Sequence, residues 1–167
     1  MDPDFGWHLR TGQLILERGV PYYDWYSYTM PNFPWIDHEW LSDVFIYGIF
    51  SHVGFYFLLL IFLFFYTLSF FIVKRPGQKS WEFFLPLFLG YLGSVGFLGI
   101  RPQLLSIFFI TVLLNLIYRY FDQHSKLLFL LPVIFLLWVN LHAGFFAGLT
   151  ILAIVFCLEI FKKSQKE

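Results

Sequence analysis

The chain has 167 residues, with eleven Lys and Arg balanced by eleven Asp and Glu. It is 59% hydrophobic, 24% aromatic and only 13% charged. Soluble domains average roughly 45–50% apolar and about 25% charged residues, so this composition, with a mean hydropathy of +0.69, excludes an ordinary soluble domain and implies an integral membrane protein. The lone cysteine, Cys157, lies in an apolar run and reads as a small buried side chain; one cysteine excludes a disulfide framework or a thiol metal cluster within the chain. No P-loop, dinucleotide fingerprint or serine nucleophile elbow occurs, and no basic stripe points to nucleic acid.

In chain order, Met1 is followed by Asp-Pro-Asp, with neither the basic nor the apolar region of a signal peptide. Asp4 stands where it would cap a helix over 5–18, with Gly19 as its stop and Pro21 beyond. Asp4 and His8 then share a face, and Gly12 on that face leaves room for another backbone or a ligand. Phe5, Leu9 and Leu16 form an apolar side, which suits a helix lying along the membrane interface. Residues 20–36, rich in Pro, Tyr and Trp, suit an irregular loop at headgroup depth. A second interfacial helix is expected over about 38–50, opening at "DHEWL" (37–41).

A helix needs about 20 apolar residues to cross a bilayer. The run 53–73 holds no Asp, Glu, Lys or Arg and fits directly. Spans over 81–100 and 102–120 meet at "IRPQ" (100–103), where Pro102 interrupts helix hydrogen bonding. Two shorter spans, 127–141 and 143–161, are separated by "NLHAG" (140–144), leaving 162–167 as a tail. The expected architecture is an all-α polytopic membrane bundle of about five spans with an external N-terminal segment, residues 1–52. With five alternating spans, Lys74, Arg75, Lys79, Arg119, Lys126, Lys162, Lys163 and Lys166 all fall on one side, which basic residues mark as cytoplasmic. The external face then collects the N-terminal acids, Arg101 with Gln103, and Asn140 with His142.

Ionisable groups packed at membrane depth are costly and so point to function. Asp2, Asp4 and His8 are the candidates for proton transfer, and also for holding a divalent metal: oxygen ligands suit Mg or Mn, and added imidazole allows Zn. Arg101, Gln103, His38, Glu39, Asn140 and His142 are the candidates for substrate contact, with Asp37 among the same set. The planar fork of Arg101 suits a phosphate or pyrophosphate. Each has a plainer alternative. Asp4 and Asp37 can be helix caps, Arg101 a snorkelling anchor at a span end, and Asn140 and His142 interhelical hydrogen-bonding groups. Trp7, Trp25, Trp35, Trp40 and Trp138 read as belt or packing residues, although an aromatic platform also suits a sugar or a prenyl chain.

The ordered motifs "DPDFGWHLRTGQLILERGVPYYDWYSYT", "PWIDHEWL", "RPQLLS" and "LLWVNLHAGFFAGL" resemble a group of bacterial multi-spanning proteins similar to glycosyltransferases of the GT-C superfamily, which include protein mannosyltransferases and lipid-A aminosugar transferases. The resemblance implies a polyprenyl-phosphate sugar donor, an acceptor glycan, lipid or protein reached from the outer face of the inner membrane, and a functional acid in the first external loop. Asp4 or Asp2 falls at that acidic position, and "HEWL" where such enzymes begin the helix that closes the loop. In that family a span precedes the acidic motif and more follow the fifth, so the resemblance also implies a piece of a longer protein.

Overall fold

Glycine and proline punctuate the helices. A computed structural model describes residues 3–30, 32–75 and 77–164; Asp2, one of the candidate acids, lies outside the described residues. Among these residues are seven α-helices: α1 (Phe5–Arg18), α2 (Trp40–Val53), α3 (Phe55–Ile72), α4 (Ser80–Ser94), α5 (Pro102–Gln123), α6 (Leu131–Leu141) and α7 (Phe145–Ser164). Gly19 and Gly54 end α1 and α2 with φ of 86° and 85°, a backbone region that side chains resist. Gly54 alone separates α2 from α3, which makes a sharp corner of the α2–α3 junction. Arg101 is extended and Pro102 opens α5, where its missing N–H costs nothing.

Three helices, α3, α5 and α7, are long and apolar enough to cross a membrane. The fold is therefore that of an all-α bundle and fits a polytopic membrane protein. The other two apolar segments are shorter. The segment Lys126–Leu141 opens with a 3₁₀ turn, Lys126–Leu130, before α6. In the expected 81–100 span, α4 carries Pro86 internally and stops at Ser94, followed by a 3₁₀ turn at Val95–Phe97. Gly90, Gly93, Gly96 and Gly99 weaken the helix there. The Ser94 hydroxyl, meanwhile, bonds back to the Gly90 and Tyr91 carbonyls and to the Tyr66 hydroxyl of α3. Cys157, read from sequence as buried, is exposed on α7, a helix that buries almost nothing and presents Ile154, Phe156 and Leu158 outward.

α1 joins the core of the bundle. Phe5 packs with Ile46 of α2, Leu58 and Phe62 of α3, and Leu104 and Leu105 of α5. Phe5, Leu14 and Ile15 are buried, whereas Leu16, expected on the apolar side, is 59% exposed. The buried stripe runs Phe5, His8, Thr11 with Gly12, and Ile15, which is helical spacing and points at α2. α2 in turn packs on α3 and α6, and α5 on α3, α6 and α7. The loop 20–36 folds back on itself through Asp24 N–H to the Phe33 carbonyl and Trp35 N–H to the Tyr22 carbonyl. Its Tyr26 ring stacks near Trp7 of α1, and its hydroxyl lies 2.7 Å from Thr11 Oγ1.

Gly12 makes the α1–α2 contact possible. A β-carbon there would run into the Asp43 backbone carbonyl and sit 2.8 Å from the Tyr47 β-carbon. Gly12→Ala is expected to lower stability by about 1–3 kcal/mol, as overpacking of a tight contact does. Gly48→Ala, where a β-carbon meets nothing within 4 Å, is expected to raise it by about 0.5–1 kcal/mol. Equilibrium unfolding in micelles measures both, and equal effects would contradict the close approach.

Candidate functional site

The register of α1 on α2 decides what faces what. With Gly12 seated on the Asp43 carbonyl, His8 one turn earlier reaches the Asp43 side chain, and Nδ1 lies 2.6 Å from Oδ1. Both groups are buried, Asp43 to 2% exposure. Burial drives the Asp43 carboxyl up to about 7, against the opposing pull of His8. Burial alone would lower the His8 imidazole, but the hydrogen bond and charge of Asp43, with Glu39 and Asp4 adding to them, outweigh it and leave its pKa raised. The pair therefore holds a proton near neutral pH.

The start of α2 brings three more ionisable groups to the same place. Asp37 Oδ1 accepts from Glu39 N–H at 3.1 Å, a turn that precedes the helix instead of capping it. Glu39 Oε1 lies 3.5 Å from His38 Nε2 and 3.4 Å from His142 Nε2. Burial also raises the Glu39 carboxyl. Asp4 occupies the position before α1 without a side-chain hydrogen bond to its first turn.

Asp4, His8, Asp37, His38, Glu39, Asp43 and Gln103, with the indoles of Trp7 and Trp35, line one cavity of about 390 Å³. Trp7, Tyr26 and Trp35 form an aromatic cluster with ring centres 4.1–6.1 Å apart. Six of the candidates from sequence, Asp4, His8, Asp37, His38, Glu39 and Gln103, are thus brought together in one cavity. Arg101 is placed elsewhere, in a neighbouring cavity of about 330 Å³ with Phe5, Phe55, Leu59, Leu98 and Ile100. Among the described residues no three His, Cys, Asp or Glu side chains converge as metal ligands.

Asn140 and His142 stand behind the acidic cavity. Asn140 Oδ1 accepts from Trp40 Nε1 at 2.8 Å, and Ser42 Oγ donates to the Leu141 carbonyl at 2.6 Å, which straps the start of α2 to the end of α6. The His142 ring has a defined tautomer. Gly144 N–H donates to Nδ1 at 2.9 Å, so Nδ1 is an acceptor and the ring proton sits on Nε2, facing Glu39. Trp138 Nε1 donates to Ser106 Oγ at 2.8 Å, and the Ser106 hydroxyl in turn lies 2.6 Å from Nδ1. Burial, with the nearby His38 and His8 charges, lowers His142 to about 4, which keeps it neutral. Glu39, His142, Ser106 and Trp138 form one polar series from the cavity into the bundle. Close approach at Gly148, where a β-carbon would lie 2.5 Å from the Trp138 ring, holds α7 against it.

Sequence reasoning missed Asp43 and Ser106, and read Trp7 and Trp35 first as belt or packing residues with an aromatic platform as the alternative. Asp43 carried a signal, as an acid one turn after Glu39 in an otherwise apolar helix. Its partner is 35 residues away, and nothing local gives that register. Compared with protein-family models, with curated proteins and with solved structures, the chain matches none.

The pKa shifts give the site a pH dependence. Raised values for His8 and Asp43 mean that the folded chain keeps protons the unfolded chain has lost. Their contribution is present at low pH and fades as pH rises through the folded values. His142 runs the other way, its contribution being present above 6.5 and lost as pH falls toward about 4. Above about pH 6.5, where His142 no longer contributes, the raised values of His8 and Asp43, with Glu39 in the same direction, are expected to make stability fall with rising pH. Unfolding midpoints across that window measure it, and Asp43→Asn is expected to flatten the slope.

Proposed function

We propose that the chain forms the outer-face module of a GT-C-like membrane glycosyltransferase, moving a sugar from a polyprenyl-phosphate donor to an acceptor glycan, lipid or protein. In this reading five segments cross a bacterial inner membrane, with the N-terminal segment external and the C-terminus cytoplasmic. The observation that carries it is the pair of adjoining cavities of opposite character. Four carboxyl groups and two indoles line one; the other joins the Arg101 guanidinium to walls of Phe, Leu and Ile.

A phosphate is repelled by the carboxyl-lined cavity and suits the other, where Arg101 offers paired donors and the apolar wall offers a surface for the prenyl chain. The acceptor hydroxyl then enters the acidic cavity. It attacks the anomeric carbon as the bond from that carbon to the phosphate oxygen breaks. Asp4 takes the hydroxyl proton, and the bonding pair leaves with the phosphate, whose charge Arg101 stabilises. The His8–Asp43 pair fixes α1, and with it Asp4, beside the reacting groups.

A second reading is a non-catalytic protein, a lipid-carrier binding subunit or a transport component. The polar series from Glu39 through His142 and Ser106 favours it, because such a series can pass protons without any group transfer.

Membranes carrying the chain, given a labelled polyprenyl-phosphate sugar, are expected to show transfer. Asp4→Asn and Arg101→Ala are each expected to reduce it by about 100-fold or more, the range for losing a positioned base or an oxyanion-stabilising donor. Transfer unaltered in the double variant would overturn the assigned site. Saturable binding or proton flux without turnover would favour the second reading.

A further inference from the structure

The acidic cavity contains a buried polar atom, Asp37 Oδ2, whose near neighbour is another carboxyl group. Asp37 is 7% exposed, and its Oδ2 is buried with no hydrogen-bond partner among the described residues. Its other oxygen is used by Glu39 N–H. A buried carboxylate oxygen without a donor is costly, and native structures rarely leave one so. Its neighbour is the Asp43 carboxyl, which lies within hydrogen-bonding reach and is itself engaged with His8.

The lining tells what kind of donor is missing. Asp4, Asp37, Glu39 and Asp43 surround the space with the imidazoles of His8 and His38, and no Lys or Arg lines it. With His8 already paired to Asp43, the excess of carboxyl groups favours a cation over an anion. Among the described residues no three of these side chains group as ligands for a small metal ion. Trp7 and Trp35 also line the space, and aromatic rings suit an organic cation as they would not a small metal ion.

We infer that the cavity binds an organic ammonium group, with Asp37 Oδ2 and Glu39 accepting its N–H bonds and the Trp7 and Trp35 rings packing on its carbon atoms. About 390 Å³ holds such a group together with a small polar body. The ammonium can belong to a lipid headgroup or to a soluble amine, since both present the same donors. The inference deepens the transfer reading by giving the charge of what enters beside Asp4. It rests on that reading only for the cavity's opening to the outer face.

The test measures binding, so its failure leaves the transfer reading standing. The full chain in phosphatidylglycerol nanodiscs, which present no ammonium, is titrated with ethanolamine near neutral pH, with ethylene glycol as the uncharged control. Saturable heat is expected for ethanolamine alone. Asp37→Asn and Glu39→Gln are each expected to weaken it about tenfold or more, the equivalent of one charge-assisted hydrogen bond. Circular dichroism checks the fold of each, and Glu39→Gln carries the test if Asp37→Asn fails to fold. In phosphatidylethanolamine nanodiscs, loss of the soluble amine's heat assigns the site to the lipid headgroup, and unchanged heat assigns it to a soluble amine. No saturable heat in phosphatidylglycerol, saturation by Mg²⁺ alone, or unaltered affinity in both folded variants would overturn the inference.

Discussion

The site depends on one buried contact, His8 against Asp43, and on the absence of a side chain at Gly12 that lets the two helices approach closely enough to make it. Burying a carboxyl group costs several kcal/mol unless it is paired and hydrogen-bonded. The imidazole supplies the pairing, and the proton they hold lowers the charge that must be buried. The same contact fixes the rotation of α1. It turns Phe5 into the core and leaves Asp4 and Trp7 facing the start of α2.

From that constraint the rest of the cavity follows by short steps. α2 begins after a turn held by Asp37, which places Asp37, His38 and Glu39 at one end of α2 with Asp43 one turn inside. Trp40 and Ser42 tie that end to α6, and the tie brings His142 to Glu39. Pro102 starts α5 beside it, which sets Gln103 in the acidic cavity and Arg101 in the apolar one. A change of helix propensity at Arg101 thus separates two chemistries two residues apart. In the proposed transfer reading the separation has a physical use, because a phosphate and a cluster of carboxyl groups repel each other in a space of low dielectric.

Much of the helix layout was legible in the sequence, because it rests on local chemistry. The bounds of α1 match the capping and glycine signals, and the breaks at "IRPQ" and "NLHAG" fall where Pro102 and the Asn140–Gly144 stretch put them. Asp4 nevertheless makes no cap bond, and Leu16 faces outward, since the burial of α1 is decided by α2 and not by its own apolar spacing. The short α4 was not foreseen, a full span over 81–100 being expected, and the Ser94 contact with Tyr66 at its end depends on packing against α3. At the site, residue type marked Asp4, His8, Asp37, His38, Glu39 and Gln103, yet which of them share a cavity depends on long-range register. Asn140, singled out as a substrate group, accepts from Trp40, an interhelical contact of the kind the sequence left open as its alternative.

The most direct test of this account is the ¹⁵N spectrum of the His8 ring, read in the selectively labelled chain in micelles as pH is varied. The account predicts that His8 stays protonated above the ordinary histidine range, that Nδ1–H carries the far downfield shift of a short bond to a carboxylate, and that Asp43→Asn abolishes both. A ring that titrates as an ordinary solvent-exposed histidine, unmoved by Asp43→Asn, would contradict the contact on which α1, Asp4 and the cavity depend.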